Sequence, residues 1–434
     1  MADSPELRRS MGLVQTTALV VGIMVGAAVF VQAAEVSRRV ARPAAMLTVW
    51  LVAGLLTLMG TLVCAELEQS FPATGGVYVF LHRTVSPLAG YLWGWAMFWA
   101  MHSGIVAAIA VVAARYCGLV APLSDTMIRV VAIGLILGLS GLNVLGIAPA
   151  ARAQVALTLI KLAAIAGLVA AVGWWAAHHA PPPAPAVAAV WPGPGAFLLA
   201  VSAGLFAFGG WHMGTYAAGE TRAAQRTIPR AMVAGTLLVT ACYLGLNAAY
   251  VRVLPWSQVA SSTRVAADAA AVLLGGGGAA LVSALVVLSA LGSLNGVILA
   301  GPRVYLAMAR DRLAPAALAE VHPRFQTPHR AILLQALWSC LLVAVGTYRE
   351  LFTGVVYLEW MFFGLMSWGL LRHRRRFGWA PALFLAGCVL VVGNLAASAP
   401  GAALWVVGFL LTGVPAYYWQ VRKSGTPTHH AAHP

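Results

Sequence analysis

Charged side chains are scarce in this chain. Asp, Glu, Lys and Arg make up 9% of its 434 residues, and the two acidic types together number only 12. A water-soluble protein carries roughly 25% charged residues, so a large soluble enzyme is excluded. Cysteine is sparse as well. Cys64, Cys117, Cys242, Cys340 and Cys388 are odd in number, widely spaced, and set in or beside apolar runs. That pattern implies neither a disulfide framework nor a CxxC metal site. There is no phosphate-binding P-loop, no zinc-spaced His/Glu motif and no nucleophile elbow. ATP-driven pumping is therefore disfavoured and an intramembrane hydrolase finds no support. No metal and no cofactor is expected, and the chain does not read as an enzyme.

What fills the sequence instead is apolar. Hydrophobic residues make up 61% of the chain and recur in runs long enough to cross a bilayer, for which about 20 residues are needed. Twelve spans are expected. The first six run Leu13–Val36, Ala44–Ala65, Leu88–Ala114, Val130–Leu145, Ala153–Ala177 and Ala196–Ala218. The second six run Ala231–Val251, Ala279–Met308, Ala331–Val345, Leu351–Leu371, Ala380–Ala397 and Ala402–Tyr418, with the fourth and ninth the shortest. The polar opening "MADSPELRRS" and the long run after it read as a first span rather than a cleaved leader. The tail "THHAAHP" reads as a solvated end.

The net charge of +15 is better explained by topology than by nucleic acid, and no nucleic-acid partner is expected. With the N-terminus inside, 17 of the 27 Lys and Arg fall in inside segments and 8 in outside ones, Lys161 and Arg303 lying within spans. That bias places both termini in the cytoplasm of a cell whose cytoplasmic (inner) membrane the chain crosses many times. The outer loop "EVSRRVARP" is the main exception.

Two features divide the chain into halves. The Pro-rich segment "HHAPPPAPAVAAVWPGPG" follows the fifth span and precedes the sixth. The first span of each five carries a glycine break: "VGIMVGAAVF" in one and "FAFGGWH" in the other. Paired interruptions at matching places point to an inverted-repeat transporter and its binding site. The expected fold class is thus an all-α integral membrane protein of 12 helices. It would hold a five-plus-five inverted repeat with broken helices 1 and 6. The divisions are an N-terminal segment 1–12, a first repeat 13–177, an outer loop 178–194, a second repeat 195–372, two peripheral helices 380–420 and a tail 421–434.

Each break falls near the bilayer centre. Gly22 and Gly26 flank Ile23, Met24 and Val25, and Gly209 and Gly210 lie between Phe208 and Trp211, with Phe206 just before. Unwinding there frees amides at one half-helix end, suited to a carboxylate, and carbonyls at the other, suited to an ammonium group. Alone, one glycine pair could serve only close helix packing; two matched breaks favour a clamp for a zwitterion.

Lys161 lies about a dozen residues into the fifth span, roughly 16–18 Å deep by helical rise. An ammonium there must face a polar cavity, titrate, replace a bound cation or join a structural ion pair. Tyr243 and Asn247, one turn apart on the seventh span, could face its neighbourhood. Asn295 could bind backbone between helices or contact a cation. Glu359 in the tenth span is a candidate for gating or pairing, and His102 in the third for gating or proton binding, with a structural role competing in each case. Glu66 and Glu220 lie near inner helix ends, where gating salt bridges compete with solvated charge.

These motifs resemble the amino acid–polyamine–organocation (APC) superfamily. "FAFGGWHMGTYAAGETRAAQRTIPRAM" looks like its sixth-span region, "GIMVGAAVF" its first span and "CAELEQSFPATGGVYVFL" its second-span exit. "LNGVILAGPRVYLAMARDRLAP" and "YLEWMFFGL" are similar to its eighth and tenth spans. The likeness covers roughly Met11 to Arg376 and is nearest to the L-amino-acid-transporter-like branch. It implies substrate held between the broken spans, alternating access, and Lys161 in the place of the sodium ion of sodium-coupled relatives. Lys161, with Tyr243 and Asn295 nearby, would therefore serve a sodium-independent mechanism, either exchange or proton symport. Where many bacterial relatives have Asp in the sixth-span break, this chain has Gly209, which favours neutral over cationic substrates. The expectation is a sodium-independent transporter of small neutral L-amino acids, with protons as a candidate co-substrate, acting as a monomer or weak homo-oligomer in the lipid bilayer. Competing readings are a cationic amino acid or polyamine carrier and, from another class, a membrane sensor or channel.

Overall fold

The computed structural model describes residues 7–117, 123–180, 182, 191–262, 264–346, 355–373 and 378–424. Among these the chain is helical throughout, with no strand and one isolated β-bridge, Met11 to Thr221. Nine helices are long and apolar enough to cross a membrane, or ten if the bent pair Leu13–Met24 and Ala28–Val40 forms one span. The chain is a multi-pass membrane protein. Leu159, Leu337 and Leu404 are exposed on its flanks, where lipid tails rather than water surround them.

The helix starts follow from local chemistry. Pro43, Pro87 and Pro194 each stand in the first turn of a span, where a missing amide costs nothing and the fixed φ is already helical. The fourth span runs Asp125–Val144, longer than expected, because the Ser124 side chain caps it by accepting from the Met127 amide. The fifth runs Ile147–His178 and the seventh Ala224–Val253. The eighth continues as Ala280–Arg310 past the expected Met308. The ninth, His329–Val345, has 17 residues, and the tenth is described from Val355 to His373. The expected start of the tenth span at Leu351 and the Arg349 loop lie outside the described residues, as do Arg374 to Arg376. So do half of the Pro-rich segment and the tail from 425 onward.

Both expected breaks are present. The first span bends by 44° between Met24 and Ala28. The sixth runs as an α-helix over Pro194–Ala207, opens at Phe208 to Gly210, and resumes as a 3-10 helix over Trp211–Glu220. Gly210 has φ +91°, a conformation that side-chain-bearing residues rarely adopt. The first half-helix lies at the centre of the molecule, fully surrounded from Ala18 to Met24. It packs between the fifth, seventh and eighth spans.

Candidate functional site

The break in the first span leaves the last carbonyls of Leu13–Met24 without helical partners. Side chains supply them. Lys161 Nζ donates to Gly22 O at 2.9 Å, Val25 O at 2.7 Å and Ser289 O at 3.0 Å. Ser293 Oγ donates to Gly22 O at 2.9 Å and Ile23 O at 3.1 Å, and Ser289 Oγ to Val25 O at 2.8 Å. Met24 O accepts from the Tyr243 hydroxyl at 2.6 Å, and the same hydroxyl lies 2.9 Å from Ala207 O. Tyr243 thereby joins the carbonyl ends of both breaks. The Lys161 ammonium, fully buried, sits at the negative end of the half-helix dipole, where a cation is stabilised.

Sequence spacing explains how these groups converge. Gln154, Thr158 and Lys161 fall on one face of the fifth span, and all three reach the first half-helix: Gln154 Nε2 and Thr158 Oγ1 both donate to Ala18 O. Ser289, Gly292, Ser293 and Gly296 line the matching face of the eighth. A methyl at Gly292 would lie 2.8 Å from Lys161 Nζ, so this glycine makes room for the ammonium. Asn295 donates to Ala150 O at 3.2 Å and to Gln154 Oε1 at 2.8 Å, and accepts from Asn143 Nδ2 at 3.1 Å. It ties the eighth span to the fourth and fifth rather than meeting a cation directly.

The other ends of the breaks expose amides. The first amides of Ala28–Val40, at Ala28 and Val29, have no intrahelical acceptor. The same holds for Trp211 and His212 where the sixth span resumes, whereas Phe30 N donates to Ala27 O and Met213 N to Gly210 O. A cavity of about 210 Å³ lies between the two breaks. Its wall includes the backbone at Gly26, Ala27, Gly209 and Gly210 and the side chains of Ile23, Met24, Phe206, Met213 and Ile105. Three polar side chains join them: Gln32, Ser293 and Glu359. The cavity runs along Val31, Gln32, Ile109 and Val112. Its volume is below the roughly 300–1,000 Å³ of sites for drug-sized ligands.

Not every expected site residue borders this space. Gly22 and Val25 lie behind it, their carbonyls held by Lys161. The Phe208 ring turns away and packs on Trp50 and Tyr243, with ring centroids 6.4 Å and 4.8 Å distant. Trp211 packs on Phe363 and Phe384. His102 is buried outside the cavity wall, its Nε2 2.8 Å from Val297 O. Asn247 caps Tyr243 O within its own helix.

At the N-terminal end the cavity is closed. Ser10 and Met11 amides both donate to Glu220 O, and Arg222 N donates to Met11 O. The Glu220 carboxylate accepts two bonds of 2.8 Å from Arg303, and neither side chain has any exposure. Glu220 was a candidate for such a bridge from sequence. Its partner, an arginine within the eighth span, follows from the bend that brings Pro302–Arg310 under the sixth. Ser289, Ser293, Gln154 and Thr158 were missed from sequence, although their helical spacing against Lys161 was a usable signal.

One substitution tests the clamp directly. In Gly210→Ala the new methyl would meet the Ile23 side chain, and the backbone would be held at a φ unfavourable for alanine. Such strain costs about 1–3 kcal/mol, so substrate binding is expected to weaken by about tenfold or more, read by equilibrium binding to the purified variant. Unchanged affinity would show that the two breaks need not approach this closely.

Comparison with known proteins agrees with this architecture. The amino acid permease family model matches residues 11–421. The serine/threonine exchanger SteT of Bacillus subtilis is 27% identical over 97% of this chain and 98% of its own. An uncharacterised transporter of Mycobacterium tuberculosis is 32% identical over 95% of this chain and 91% of its own. The human cystine/glutamate transporter is 27% identical over 96% and 86%. The chain belongs to the amino acid permease family and is an amino acid transporter, not an enzyme, of the L-amino-acid-transporter branch of the APC superfamily.

Proposed function

We propose that this chain carries small neutral L-amino acids across the cytoplasmic membrane without sodium, by alternating access between inverted repeats 13–177 and 195–372. Both termini lie in the cytoplasm, and the arrangement described above is the outward-facing one. The observation that carries the reading is the Lys161 ammonium at Gly22 O, Val25 O and Ser289 O. It already supplies the positive charge those carbonyls attract. In the cavity, the amides at Ala27–Val29 and Gly210–His212 receive the α-carboxylate, as helix N-termini do. Carbonyls of the sixth-span break receive the α-ammonium. The apolar walls at Ile23, Phe206, Met213 and Ile105 leave room for a short uncharged side chain.

The Glu359 carboxyl in the cavity wall favours a second reading, a cationic amino acid or polyamine as substrate. Thermal-shift screening of the purified protein against the twenty amino acids and putrescine, with and without sodium, separates the two. Stabilisation by serine, alanine or threonine regardless of sodium is expected. Stabilisation by lysine, arginine or putrescine alone would favour the second reading, and a sodium requirement would overturn the role given to Lys161. Saturable, trans-stimulated uptake into proteoliposomes then separates a carrier from a pore.

A further inference from the structure

We propose that Glu359 is the group that binds a proton moved together with the substrate, so that the carrier is a proton symporter. The inference rests on the amino acid transport reading above and names its coupling ion and site.

Glu359 is an intramembrane carboxyl that lines the substrate cavity and is only 6% exposed. Among the described residues it makes no hydrogen bond and no ion pair. Lys161 is matched by three carbonyls, and Arg303 and Glu220 by each other. Glu68 is buried and unpartnered among the described residues as well, but of these two carboxyls only Glu359 lines the cavity. An ionised carboxylate left alone in an apolar wall is strongly disfavoured. It is relieved by taking a proton or by meeting a cation that enters the cavity. The single ammonium of a neutral amino acid belongs with its carboxylate at the two breaks, so a proton is the cation left for Glu359.

Among the described residues no ion pair joins Glu359 to a fixed cation. The tenth span packs against the second, third, sixth, eleventh and twelfth spans and the short helix Val77–Thr84. From the sixth, His212 meets Phe363 edge-on with ring centroids 4.9 Å apart, one turn from Glu359. Tyr216 meets the same His212 ring edge-on, with centroids 5.5 Å apart. From the second, Cys64 lies 3.8 Å from Met366 Sδ, with Glu66 and Glu68 beyond it. The eleventh presents Cys388, and His102 follows the third-span turn Met97–Met101. The basic groups, His82 and Arg83 on the short helix and Arg422 and Lys423 on the twelfth, lie toward the other end. There Thr84 touches Gly369, about 15 Å along the span by helical rise.

The groups on the far side of Glu359 are also underused. Both ring nitrogens of His212 and both carboxyl oxygens of Glu68 are buried without a hydrogen-bond partner among the described residues. One O–H bond of a hydronium ion in the cavity breaks as the Glu359 carboxyl O–H bond forms, and the reverse exchange releases the proton. The proton arrives from cavity water, resides on a Glu359 oxygen as a neutral carboxylic acid, and leaves to water when the cavity opens on the opposite side.

The test uses the full chain in proteoliposomes loaded with a pH-sensitive dye, with the neutral amino acid that gives the largest thermal shift as substrate. Wild-type uptake is expected to carry protons inward and to increase by up to about tenfold per unit of external acidification, as single-proton linkage requires. In Glu359→Gln, whatever uptake remains is expected to be independent of pH and free of proton entry, whereas Glu359→Asp restores both. If Glu359→Gln does not fold or transports nothing, infrared difference spectra of wild type and Glu359→Asp decide. Substrate should perturb a carboxylic-acid C=O band that shifts in the Asp variant. Proton entry that persists in Glu359→Gln overturns the inference, as do wild-type uptake without proton movement and the absence of such a band. Wild-type protein that takes up no amino acid at all would instead overturn the transport reading.

Discussion

Lys161→Ala is expected to reduce amino acid uptake by about a hundredfold and to make the protein bind sodium. Hydrogen bonds to a charged group are worth about 1.5–3 kcal/mol each, and Lys161 makes three of them, two to the backbone oxygens of Gly22 and Val25 at the break and one to Ser289 O in the eighth span. Ser289 and Ser293 still serve Gly22, Ile23 and Val25 in the variant, so part of the loss is recovered. What remains is enough to shift the balance between alternative arrangements of the first half-helix, since about 1.4 kcal/mol is a factor of ten in an equilibrium. The void left by the ammonium is rimmed by the carbonyls of Gly22, Val25 and Ser289 and by two serine hydroxyls. A hard monovalent cation fits such oxygens. Sodium chloride, but not choline chloride, should therefore raise the thermal stability of Lys161→Ala and leave wild type unmoved. Uptake equal to wild type in Lys161→Ala would remove the ammonium from the mechanism.

Arg303→Leu is expected to be the most damaging single change away from the cavity. It would leave the Glu220 carboxylate without the two donors it meets in a site with no exposure. Removing one partner of such a pair costs about 3–5 kcal/mol, which is a large part of the stability of a typical domain. Glu220→Gln should cost less, because the amide oxygen still accepts from the guanidinium. The double variant Glu220→Gln with Arg303→Met should be more stable than Arg303→Leu alone, since neither buried charge then remains. Thermal unfolding in detergent, arranged as a double-mutant cycle, reads the coupling. Additive losses would mean that the pair is not coupled. Because Glu220 O also receives the Ser10 and Met11 amides, loosening the pair frees the N-terminal segment. A faster opening of the closed end should appear as increased reactivity of a cysteine placed at Ala218.

Much of this was legible before any coordinates. The apolar runs predict membrane helices because unpaired backbone in hydrocarbon forces helical ladders. The glycine pairs at Gly22–Gly26 and Gly209–Gly210 predict the breaks because an unwound segment needs residues that tolerate unusual φ and close contact. Lys161 stood out because an ammonium at that depth requires a specific partner. The number of spans was less readable near the ninth and tenth, where Ala331–Val345 is short and the loop between them carries little pattern.

The residues that complete the site carried a weaker signal. Ser289 and Ser293 look like small packing residues, and only the approach of the eighth span to the unwound Gly22–Val25 turns them into caps. Phe208 and Trp211 sit inside the most informative motif, yet their rings pack outward on Trp50 and Phe363. A broken helix has no regular face, so spacing does not tell which way its side chains point. Glu359 read equally well as a gating or a structural group, and its place in the cavity wall depends on how the tenth span packs against the sixth.

By itself the sequence determined that the chain crosses a membrane many times as helices, where two of them unwind, and that a lysine is buried beside one break. These are consequences of local composition and of the cost of polar groups in lipid. Only the tertiary structure decided that the lysine's partners are the carbonyls of that break and that Arg303 meets Glu220. It alone also left Glu359 unpartnered at the cavity. Each of those facts depends on which faces of distant helices meet, and a hydrogen bond between residues more than a hundred positions apart leaves no period or spacing in the chain to read.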